Sequence, residues 1–291
     1  MTPAAPPPAD LPPDVLPLAG PPPWLHLAHL DDVAAIPAAQ GQVLLVACDS
    51  CAGIGDRAGD VVTVAPYVVG RFTCRVPLLE VLAVGGQPLL VVATLGVAPH
   101  PVGEAILRGV QEEASLAGIP TGNVLISTEK NIPTTQTSAG ITVLAWASRG
   151  SLRFGRARPG DLVVAVGRPK VGAEVHLDDP DITDISTLRL ASKYGDVGDL
   201  LPVGSGGIAR EAGKLAARAG LRFSHGPGGL CDLGKSAGPA TCFLATVPPS
   251  CLPDFLRHMT PSGRPCYPVG TLVPPDPHAP GNPLPERGMR S

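Results

Sequence analysis

Short apolar runs recur from about residue 42 to residue 247, each broken by glycine, proline or charge within about ten residues. In the first half the runs Gln42–Cys48, Pro88–Val97, Asn123–Ser127 and Ile141–Ala147 are brief and continuous, the pattern of buried strands. Two segments between them have helical periodicity. Arg71–Val84 places Phe72, Val76, Leu79 and Ala83 on one face, and Val102–Ala117 carries Val102, Ile106, Gly109, Val110, Glu113 and Ala117 along one stripe. Pro77 removes a backbone donor from the first helix, which predicts a kink or a late start. Strands alternating with helices indicate an α/β or α+β chain and argue against a sandwich.

After the turn Arg156–Asp161 the pattern resumes. It predicts a strand at Leu162–Gly167, a helix at Ile185–Tyr194, a glycine turn feeding a helix at Ile208–Ala219, a strand at Thr241–Val247 and a closing helix at Ser250–His258. The expected organisation is a proline-rich disordered leader over 1–23, a first domain over 24–150, a second over 151–266 and a disordered tail over 267–291. Ten prolines in residues 1–23 carry the leader assignment. No repeat of solenoid length is visible.

Composition narrows the class. Apolar residues make up 44% of the 291 and aromatics only 3%, so the core must be built from Val, Leu, Ala and Ile. A formal charge of −3 leaves no basic footprint for nucleic acid. The apolar runs are too short to span a membrane, and the leader lacks the charged and apolar regions of a signal peptide. Seven irregularly spaced cysteines read as reduced thiols of a cytoplasmic protein. Cys48 and Cys51 form a C-x-x-C spacing without a second pair, which fits packing better than zinc or redox chemistry.

Four acids stand beside apolar elements. Asp49 closes the first strand, Asp56 follows the Gly53/Gly55 pair, Glu80 lies in the first helix, and Glu129 follows the strand NVLIS. A carboxylate at a strand mouth beside glycines suits a metal–phosphate site, although an ordinary polar turn has the same pattern. The segment is not a P-loop, because no G-K-[ST] follows. If such acids converge, a divalent cation relieves their repulsion. The loop STEKNIPTTQTSAG adds Lys130 for phosphate and Asn131 for a nucleotide edge, and both also fit a solvated loop. The glycine turn at Ser205, Gly206 and Gly207 opens a helix whose first N–H groups can hold phosphate. Lys235 lies in KSAGPATC, just before the Thr241–Val247 strand.

In order and number, ACDSCAGIGDRAGDVV, VVGRFTCRVPLLEVLAVGG, STEKNIPTTQTSAGITV and KSAGPATC resemble the aminoimidazole ribonucleotide synthetase-like ATP-binding superfamily, and within it most closely the α-ribazole kinases. The resemblance spans roughly Val43 to Val247. It implies a two-domain α/β (α+β) fold whose first domain forms a dimeric barrel, with ATP between the domains. It also implies Asp49, Glu80 and Glu129 as Mg²⁺ ligands on the ATP phosphates. Gly53, Gly55, Asn131, Ser205, Gly206 and Gly207 would hold nucleotide, and Glu129, Lys130 and Lys235 would serve the transferring phosphoryl group. The implied reaction is transfer of the γ-phosphoryl group to the 5′-hydroxyl of α-ribazole, a nucleoside-like small molecule, by a homodimer. Other members act on thiamine monophosphate or an aminoimidazole precursor, and a non-catalytic ATP-binding module is the alternative of a different class. Two departures stand out: Lys130 replaces a second acid, and Pro77 interrupts a helix that is regular in the family.

Overall fold

The computed structural model describes residues 28–226 and 231–276. The leader over 1–23 and the tail beyond 276 lie outside the described residues.

The chain opens with a hairpin, β1 (Ala28–Leu30) and β2 (Val33–Pro37), which joins β3 (Gln42–Ala52). A short parallel pair, β4 (Ile54–Gly55) and β5 (Val62–Thr63), leads into helix α1 (Pro66–Ala83). Then follow β6 (Gln87–Leu95), α2 (Glu104–Leu116), β7 (Val124–Thr128) and β8 (Ser138–Ser148). These build a six-stranded sheet of order β1-β2-β3-β8-β6-β7. Only β6 and β7 run parallel, and α2 supplies their crossover. Alternation along β3 buries Val43, Leu45 and Ala47 beneath α1 and leaves Leu44 and Val46 half-buried on the other face.

The second half supplies β9 (Leu162–Gly167), α3 (Ile185–Ser192), β10 (Leu200–Pro202), α4 (Gly207–Arg218), β11 (Arg222–His225), β12 (Cys242–Val247), α5 (Leu252–Met259) and β13 (Cys266–Val273). Its five strands form an antiparallel sheet of order β10-β12-β9-β13-β11. β13 corrects the expected unstructured tail from 267. Pro268 and Gly270 break the apolar pattern there, at an irregularity in the pairing with β9.

Helix α1 joins the two halves. It packs against β3 and β8 on one side and against α3 and β10 on the other, within one apolar core that runs from Val33 to Met259. It starts five residues before the expected Arg71, with Pro66 in its first turn, and continues unbroken through the buried Pro77. It also crosses α2 closely: a Cβ on Gly70 would lie 2.0 Å from the Ile106 carbonyl oxygen, and one on Gly109 would lie 2.1 Å from that of Tyr67. Beside this crossing, fully buried Glu113 accepts from Arg71 Nε at 2.6 Å and Arg75 Nε at 2.7 Å. Arg75 reaches on to the Thr183 carbonyl, so the buried ion network ties the first half to the second.

Candidate functional site

The outward face of the first sheet changes character toward one end. Cross-strand register places Ser50, Gly140, Thr94 and Ser127 in one row over β3, β8, β6 and β7. The row floors a cleft of about 430 Å³, which Thr128, Glu129 and Ser138 also line. It lies outside the carboxyl ends of the parallel pair β6 and β7, a common ligand position in α/β sheets. Gly140 keeps the floor low, since a Cβ there would come within 2.9 Å of Thr94 Oγ1.

Glu129 stands at the rim of this cleft. Its Oε1 accepts from the backbone N–H of Asn131 at 2.7 Å and of Ile132 at 3.0 Å. These donors hold its carboxyl below the ordinary range, so it is ionised at neutral pH. Asn131 thus contributes its backbone to the loop. Lys130 and Asn131 are exposed, and Ile132 is 67% exposed instead of lining an apolar slot.

The glycine segment beside this loop has a different job from the expected one. Gly53 donates its N–H to the Thr137 carbonyl at 3.0 Å, which leaves it unavailable to phosphate. Gly55 lies so close to Thr137 that a Cβ would meet Thr137 Oγ1 at 2.2 Å and Asp60 Oδ2 at 2.6 Å. The organiser is Asp60, which sequence reasoning passed over in favour of Asp56. Its carboxylate accepts from Thr137 N and Thr137 Oγ1, both at 2.7 Å, and from Arg57 N at 2.9 Å. Arg57 in turn donates to the Thr134 carbonyl. The glycines therefore let two loops lock together.

The three acids assigned to Mg²⁺ occupy separate surroundings. Asp49 lies inside β3, paired with Ile141 and not at the strand mouth, because β3 continues to Ala52. Burial raises its carboxyl, and its field reaches Cys51. Glu80 faces the β1–β2 turn and α4. Burial pushes it up to about 8, Asp32, Glu211 and Asp31 add to the rise, and Arg218 opposes it. Arg218 is held by Asp31, with Nε to Oδ2 at 2.6 Å. Glu129 caps its own loop. Among the described residues no three His, Cys, Asp or Glu side chains gather as a metal-holding group. This chain's carboxylates therefore do not fit the expected three-acid Mg²⁺ site.

The second half has its own cleft, of about 480 Å³, between the segment after β9 and the segment before β12. Arg168, Lys170, Glu174, Cys231, Asp232 and Lys235 line it. Lys235 pairs with Glu174 at 2.6 Å, and Lys170 pairs with Asp179 and, at 3.4 Å, with Asp181. The expected phosphate turn at Ser205, Gly206 and Gly207 is filled by the chain itself. Gly207, at φ +74°, sits against the Gly234 backbone, where a Cβ would approach to 2.8 Å. Ala209 N donates to the Leu233 carbonyl at 2.9 Å, in place of a ligand oxygen at the start of α4. Of the sequence-derived candidates in this half, Lys235 alone lines the cleft. Arg168, Lys170 and Glu174 escaped notice because their partners Asp179, Asp181 and Lys235 are distant along the chain or in loops without periodicity. The 172–174 turn also touches β5, so this cleft adjoins the glycine segment of the first half.

No protein-family model and no curated protein matches the chain. Solved structures do. Thiamine-monophosphate kinase from Stenotrophomonas maltophilia K279a superposes with a TM-score of 0.58 at 17% identity, over 84% of this chain and 87% of that one. AaThiL complexed with AMPPCP and TMP gives 0.58 at 17% identity, over 85% and 86%. Hydrogenase maturation protein HypE in complex with ATP gives 0.60 at 15% identity, over 84% and 80%. With its two sheets packed about the helix that joins them, the chain has the aminoimidazole ribonucleotide synthetase-like fold of these proteins.

Proposed function

We propose that the protein is an ATP-dependent small-molecule kinase that transfers a phosphoryl group to the 5′-hydroxyl of α-ribazole. The observation that carries this reading is the hydroxyl-floored cleft with ionised Glu129 at its rim. Ser50, Thr94, Ser127 and Ser138 can each donate to and accept from a sugar or phosphate oxygen. The Glu129 oxygen not engaged by Asn131 and Ile132 can accept the hydrogen of an acceptor hydroxyl and orient it for attack. The fold supports the nucleotide, since solved proteins of this fold hold AMPPCP or ATP. No step is assigned to Mg²⁺, because the acids expected to hold it stand apart.

A phosphorylated acceptor such as thiamine monophosphate is the second reading, and the cationic cleft around Lys235 favours it. A homodimer accompanies either reading. The outward face of the first sheet carries half-buried Leu44, Val46, Leu90, Val92 and Leu144 with Trp146, an apolar surface that a second copy would cover. Purified protein with ATP should form ADP faster with α-ribazole than with thiamine monophosphate or no acceptor. A rate independent of α-ribazole would overturn the proposed acceptor.

A further inference from the structure

We propose that the second-half cleft is a phosphate-binding subsite in which Glu174 stands in for the ligand's anionic group. Three cations, Arg168, Lys170 and Lys235, converge on one opening of about 480 Å³. Lys170 is firmly engaged. It pairs with Asp179, and Asp179 is itself fixed by accepting the Asp181 N–H at 2.9 Å. Arg168 lies 3.6 Å from Asp181 and against the Tyr267 ring. Asp232 is turned inward to its own loop, where Oδ1 accepts the Gly234 N–H at 2.9 Å.

Lys235 differs from these. Its ion-pair partner is Glu174, from the opposite wall, and the Glu174 side chain is 51% exposed. The contact between them crosses the cleft. An exposed pair of this kind contributes at most about 1 kcal/mol, so a ligand opens it at little cost. A phosphate group carries more charge than a carboxylate and three terminal oxygens, so it can engage Lys235 together with the Arg168 guanidinium across the same opening. Glu174 then rotates into solvent, and the phosphate takes its place on Lys235.

The kinase reading matters only for the source of the phosphate, which is either the nucleotide or a phosphorylated acceptor or product. Binding of free phosphate requires no catalysis, so the subsite and the kinase reading can fail separately. Titration calorimetry of the full chain with inorganic phosphate at low ionic strength is the test. Glu174→Gln should tighten binding about two- to fivefold, Lys235→Met should weaken it about tenfold or more, and the distant Lys193→Met should leave it unchanged. Competition then separates the sources: displacement by AMPPCP assigns the cleft to nucleotide, and displacement by thiamine monophosphate assigns it to a phosphomonoester. Equal or weaker phosphate binding by Glu174→Gln, displacement by neither competitor, or unchanged binding by a folded Lys235→Met overturns the proposal.

Discussion

Asp60→Asn isolates the lock between the glycine segment and the 134–137 loop. The substitution keeps shape and removes charge. In the native protein both carboxylate oxygens accept, with Thr137 N on Oδ1 and Thr137 Oγ1 with Arg57 N on Oδ2. An amide group can accept through only one atom, so in either orientation its NH2 faces a backbone donor, Thr137 N or Arg57 N, and the charge that strengthened the Thr137 bonds is gone. The buried Thr137 then loses a charge-assisted hydrogen bond, which costs about 2–3 kcal/mol. For a protein of this size that is a fall in Tm of about 5–10 °C. The pH dependence supplies an internal check. Burial opposes the Asp60 charge, but the Thr137 hydroxyl and amide and the Arg57 amide outweigh it and hold the carboxyl below 3.8. Its stabilisation is therefore present above 3.8 and is lost as pH falls through the folded-state value. Urea unfolding of both proteins between pH 7 and pH 3 should show the difference shrinking at the acid end. Thr137→Val, which removes only the hydroxyl bond, should cost less. Equal stability of Asp60→Asn and wild type at pH 7, or a difference that grows on acidification, would refute this account of the lock.

Arg75→Met should cost about 2–3 kcal/mol in urea unfolding, because fully buried Glu113 loses the Arg75 Nε and Nη2 hydrogen bonds and keeps Arg71 as its ion-pair partner. Glu80 retains its proton in the folded state up to about pH 8 against an ordinary value of 4.5, so wild-type stability should decline as pH rises through that interval. Glu80→Gln should remove that slope, and a parallel slope in the variant would contradict the placement of Glu80. Gly207→Ala should cost about 1–3 kcal/mol by pressing a methyl group on the Gly234 backbone at positive φ. The same variant should loosen the Lys235 segment, measured as faster amide exchange around Leu233.

Several elements were readable from the sequence because periodicity decides them. The core of β3 and the inner half of β6 follow from burial of alternate residues, β9 and β12 from continuous apolar runs buried along nearly their whole length, and the stripe of α2 from burial of every third to fourth residue. The short strands β1, β2, β10 and β11 were not readable, since three to five residues carry too little periodicity to register. Pro77 misled in the opposite direction, because packing of α1 between the two sheets overrides the lost hydrogen bond. At the candidate site, Glu129 and Lys235 were found as residues beside apolar runs, and each lines a cleft. Asp49 and Glu80 have the same local signature, yet their surroundings are set by contacts with β8 and with the β1–β2 turn and α4. The hydroxyl row Ser50–Thr94–Ser127 exists only through register across four strands, which no single segment encodes.

The central claim is phosphoryl transfer to a hydroxyl, and the identity of the product tests it most directly. Purified protein, ATP and α-ribazole should give one new compound, heavier than α-ribazole by one HPO3 unit and phosphorylated at the 5′ position by mass spectrometry and phosphorus NMR. Glu129→Gln, still folded, should slow its appearance by about two orders of magnitude or more. Release of inorganic phosphate with no phosphorylated α-ribazole, or undiminished turnover by Glu129→Gln, would contradict the account.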